Sequence, residues 1–132
     1  VTNRLVPAAA FAVGVFLVVA AGVAALQNAP QPALVFGALG LTHLGVAFGI
    51  ATGSRLAAGL GAVVGTVTAA LVAVGIAFIV GIEAGVGVDL NVAWFAPLNG
   101  YATITVAAAL IAASVLLVVG GIHGVRRGAT AA

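Results

Sequence analysis

Four long apolar stretches, Leu5–Leu26, Ala33–Thr52, Ala57–Ile82 and Tyr101–Ile122, fill most of this 132-residue chain, and every Arg, Asp and Glu lies between or beyond them. A hydrocarbon core about 30 Å thick needs about 20 apolar residues per helix, and each stretch supplies them. The placement of charge constrains the chain further. If the stretches pass up and down through a bilayer, Arg4, Arg55, Arg126 and Arg127 share one compartment, and Glu83 and Asp89 share the other. Short cytoplasmic loops carry the excess of Lys and Arg, so both termini are expected inside. The expected fold is all-α: an integral membrane four-helix bundle, N-in and C-in, forming a single transmembrane domain over 1–132.

Composition supports lipid as the solvent. The chain is 64% hydrophobic and 5% charged, whereas soluble proteins average about 25% charged residues. Six charged side chains cannot coat a globule of this size. The formal charge of +2 comes from arginines at helix ends, not from a patch, so no nucleic-acid partner is expected. The expected partners are the bilayer and either another membrane subunit or a second copy of the chain. Cysteine is absent, which excludes disulfides and thiolate chemistry. An initial Val1, read as a GTG start codon, and the wealth of Ala and Gly suggest a prokaryotic cell membrane. The first stretch has 22 residues, longer than the ~7–15 of a signal-peptide core, and is read as a retained helix.

The connections follow from local chemistry. Pro7 falls in the first turn of helix 1, where a missing N–H is harmless. Helix 1 has no polar side chain between Val6 and Leu26 and is the one best suited to face lipid. Gln27–Pro32, with two prolines, separates helices 1 and 2, and Gly53-Ser54-Arg55 returns the chain to helix 3. The outer loop 83–100 is the longest. Within it, residues 90–98 read as a short element at the water–lipid boundary, with Trp94, Phe95 and Tyr101 at the level where amphipathic rings collect. The tail after Arg127 is expected to fray.

Helices in lipid associate by close packing, which small residues permit. Gly45, Gly49 and Gly53 recur every four residues on helix 2, and Gly61 and Gly65 do so on helix 3. Across the tight turn these stripes are expected to face one another and pack the hairpin; docking of a partner subunit is the alternative.

His43 lies near the centre of helix 2, where an ionisable side chain is costly and faces the bundle interior or a water cavity. Thr42, Thr66, Thr68 and Ser114 lie at comparable depth and make up a candidate midplane polar cluster. A neutral imidazole bonded to a hydroxyl or a carbonyl would account for the arrangement. A proton relay and a haem axial ligand are the other readings, but His123, at the far end of helix 4, is poorly placed as a second ligand. Arg4, Arg55, Arg126 and Arg127 anchor the topology and are positioned to meet anionic lipid head groups. No metal-binding, phosphate-binding or nucleophilic motif occurs. Neither catalysis nor a cofactor is expected. The sequence favours a non-catalytic accessory or structural subunit; a small carrier or channel for protons, ions or small solutes, using the His43/Thr layer, is the alternative.

Overall fold

The computed structural model describes residues 2–83 and 100–131, with side chains described over 4–75 and 105–127. It holds four α-helices: α1 Thr2–Leu26, α2 Pro30–Ala51, α3 Arg55–Glu83 and α4 Gly100–Ala131. All four are long and apolar enough to cross a membrane. The 22 residues of α2, at about 1.5 Å rise each, span a hydrocarbon core of about 30 Å.

Two of the boundaries differ instructively from the apolar stretches. Helix α2 already begins at Pro30, so Pro30 and Pro32 open it instead of preceding it; a first helical turn has no use for their missing N–H groups. Helix α4 continues to Ala131 and takes in the tail expected to fray. Apolarity measures the length matched to lipid, while Ala and Arg sustain a helix into water. The interfacial segment 90–98, with Trp94 and Phe95, and Asp89 lie outside the described residues, as do the side chains of Glu83 and Tyr101.

Both described turns use the same device. After α1, the Ala29 N–H donates to the Ala24 carbonyl at 2.9 Å and the Asn28 N–H to the Ala25 carbonyl at 3.1 Å. After α2, the Ser54 N–H donates to Gly49 at 2.9 Å and the Gly53 N–H to Ile50 at 3.0 Å. These are Schellman motifs, which need a left-handed residue just past the helix. Asn28 supplies it at φ 58° and Gly53 at φ 84°. The next residue, Ser54, then caps α3: its Oγ accepts from the Ala57 N–H at 3.2 Å. One three-residue connection, Thr52 to Ser54, thus closes one helix and opens the next.

The helices form a four-cornered ring. Helix α1 packs chiefly on α2 and α3 on α4, with smaller α2–α3 and α1–α4 interfaces. The chain's order and the pairing of contacts make the neighbours antiparallel. The N-terminal end of α1, the α2–α3 turn and the C-terminal end of α4 therefore lie at one end of the bundle.

Backbone approaches backbone at two crossings. A Cβ added at Gly14 would lie 3.0 Å from the Gly40 carbonyl, and one added at Gly40 would lie 3.0 Å from the Gly14 carbonyl. Between α3 and α4, a Cβ at Gly65 would lie 2.9 Å from the Ser114 carbonyl, and one at Gly121 would collide with the Ala58 carbonyl. The expected face-to-face glycine stripes are redistributed. Gly49 meets Ala57 across the turn, Gly61 meets Leu117 and Val46, and Gly65 faces α4. Gly45 and Gly53 meet nothing within 4 Å. The α3 glycines turn mostly toward α4 because α3–α4 is the larger interface.

What lies inside and outside is the reverse of a water-soluble bundle. The described interior contains many Ala and Gly residues together with His43, Thr68 and Ser114, while Leu34, Leu41 and Phe48 point outward, Phe48 at 74% exposure. An exterior of large apolar side chains suits hydrocarbon, and an interior of small ones suits close packing.

Candidate functional site

Two places combine polar chemistry with a defined geometry. The first is in the middle of the bundle. His43 is fully buried on α2. Its Nδ1 lies 2.7 Å from the Leu39 carbonyl, one turn back on the same helix, and its Nε2 lies 3.3 Å from Thr68 Oγ1 on α3. The partners assign the tautomer. A carbonyl only accepts, so Nδ1 carries the proton; Nε2 of the neutral ring then accepts from the Thr68 hydroxyl. The 3.3 Å contact is at the long end for such a bond.

Thr68 and Ser114 are buried as well, and Ser114 Oγ has no hydrogen-bond partner among the described residues. The Ser114 carbonyl lies over Gly65, one turn before Thr68. Three helices therefore bring His43, Thr68 and Ser114 into the buried interior. Thr42 and Thr66 are directed elsewhere: both are exposed and donate within their own helices, to the Ala38 carbonyl at 2.7 Å and the Ala62 carbonyl at 2.8 Å. Depth in the membrane grouped five residues. Helical rotation of about 100° per residue separates Thr42 from His43, and about 200° separates Thr66 from Thr68.

The second place is the arginine end. A recess of about 850 Å³ opens there, and all four helices contribute to it. Its polar rim is Arg4 on α1, Ser54 and Arg55 at the α2–α3 turn, and His123 and Arg127 on α4. These side chains are exposed. Arg126, next to Arg127, does not line the recess, because a step of one residue points it to another face. The sequence placed the arginines in one compartment; it held no sign that three of them converge around one cavity, since their separation along the chain exceeds 120 residues between Arg4 and Arg127.

The Gly14–Gly40 crossing was also hidden. Each glycine is the centre of a single crossing, not part of a repeating stripe, so no spacing rule marks it. Among the described residues, no group of three or more His, Cys, Asp or Glu side chains converges on a point that would hold a metal ion.

Comparisons with protein-family profiles, with curated proteins and with solved structures gave no match. The functional reading therefore rests on these two places and on the exterior.

Proposed function

We propose that this chain is a small non-catalytic subunit of a cell membrane, packing against a larger membrane protein or against copies of itself. The observation that carries the reading is the closure of His43. Both ring nitrogens are engaged by the chain's own groups, so the most chemically versatile side chain in the bundle acts as a cross-brace between α2 and α3. An axial haem ligand at His43 would have to give up one of those contacts.

The exterior supplies the second support. Leu34, Ala38, Leu41, Gly45 and Phe48 are all exposed on α2 at alternating spacings of four and three residues. That is the seam of a left-handed helix pair, and Gly45 leaves a gap into which a neighbouring side chain fits. In this reading the arginine end lies in the cytosol and both termini are inside. The composition, rich in Gly and devoid of Lys, favours a prokaryotic membrane.

The experiment uses the absence of native cysteine. Gly45→Cys in intact membranes should form a cross-link to a second copy or to a partner subunit, and Val63→Cys, exposed on α3, should not. Equal cross-linking at both positions, or none at either, refutes the seam. The carrier reading draws on one observation, the unpartnered buried Ser114 Oγ, which a transient water would satisfy. Flux through proteoliposomes that disappears with His43→Leu would favour the carrier and displace the subunit reading.

A further inference from the structure

We propose that the recess at the arginine end binds one anionic phospholipid, with the phosphate held by Arg4, Arg55 and Arg127 and an acyl chain laid along the α1–α4 groove. The proposal requires that the helices lie in a bilayer, and it holds whether or not the chain also has a protein partner.

Four observations converge on this. The first is charge: three guanidinium groups and the His123 imidazole share one rim. Arginine suits phosphate because its planar fork donates two parallel hydrogen bonds to two oxygens. The second is a neutral donor between the arginines. Ser54 Oγ already accepts from the Ala57 N–H, which leaves its hydroxyl hydrogen free to donate to an oxygen of the head group.

The third observation is size. About 850 Å³ lies within the roughly 300–1,000 Å³ of small-molecule sites and is far larger than a phosphate ion alone needs. The fourth is the wall. Below the rim, the lining becomes Val6, Ile50, Leu116 and Val119. A free anion gains nothing from such a surface, but a molecule with a charged head and an apolar tail matches both halves.

Arg126 makes the proposal separable from general surface attraction. It has the same charge as Arg127, is adjacent in sequence, and lies off the recess. Purified, delipidated protein would be titrated with phosphatidylglycerol, phosphatidylcholine and inorganic phosphate, with bound lipid read by native mass spectrometry and helix content by circular dichroism. Phosphatidylglycerol should bind in preference to phosphatidylcholine at a stoichiometry of one. Arg127→Gln should weaken it about fivefold, the effect of one basic side chain near a lipid surface, while Arg126→Gln should leave it unchanged. Equal losses from the two variants would overturn the site in favour of diffuse charge. Competition by inorganic phosphate as strong as by phosphatidylglycerol would show a free-anion site and overturn the lipid assignment. Should the triple variant Arg4→Gln/Arg55→Gln/Arg127→Gln lose helix content, the Arg126–Arg127 pair still decides.

Discussion

The middle of the bundle and its arginine end hold most of the polar chemistry among the described residues, and they dispose of it in opposite ways. In the middle, His43 and Thr68 point at each other from neighbouring helices, with 0% and 1% exposure. At the end, the exposed Arg4, Arg55, His123 and Arg127 line the recess. The cost of an unpaired polar group explains the contrast. In the interior that cost favours a partner in the chain, as His43 and Thr68 find in each other, with Ser114 Oγ an exception among the described residues; at the boundary water or a head group also serves. Closed polar chemistry therefore acts as a brace, and open polar chemistry is available to a ligand.

The middle is where substitution should cost most. Gly65→Ile places a branched side chain where even a Cβ would lie 2.9 Å from both the Ser114 carbonyl and Val118 Cγ2. Backbone cannot yield there as a side-chain tip can, so the loss should reach or exceed the roughly 1–3 kcal/mol of ordinary overpacking. Thermal unfolding in detergent measures it; a melting curve like the native one would mean that α3 and α4 do not approach through this glycine.

His43 gives an intermediate effect whose size depends on what replaces it. His43→Ala leaves a cavity and should cost about 2 kcal/mol or more. His43→Leu fills the space, and Thr68 can turn its hydroxyl to its own helix as Thr66 does to Ala62, so the cost should stay within about 1.5 kcal/mol. If the two variants unfold alike, the brace depends on the hydrogen bond and not on packing.

The smallest effects compare the two places directly. Thr68→Val removes only the interhelical bond and should cost about 0.6 kcal/mol, the mean for such bonds in membrane bundles. Arg55→Gln at the open end should stay within about 0.5 kcal/mol. A larger loss from Arg55→Gln than from Thr68→Val would reverse the assignment of brace and ligand site.

The sequence of this protein determined its helices, their number, and which loops carry which charge. Each of these follows from local composition: an apolar run long enough for hydrocarbon, a glycine or asparagine that tolerates positive φ, an arginine stranded between runs. Azimuth was decided only by tertiary structure. Whether Thr42 or His43 points inward, whether Gly61 and Gly65 serve α2 or α4, and whether Arg127 or Arg126 borders the recess all depend on how each helix is rotated against its neighbours. In a soluble bundle an amphipathic stripe would announce that rotation. Here the outward-facing and buried sides are almost equally apolar, so the sequence carries little record of it, and close contacts such as Gly14 on Gly40 decide it instead.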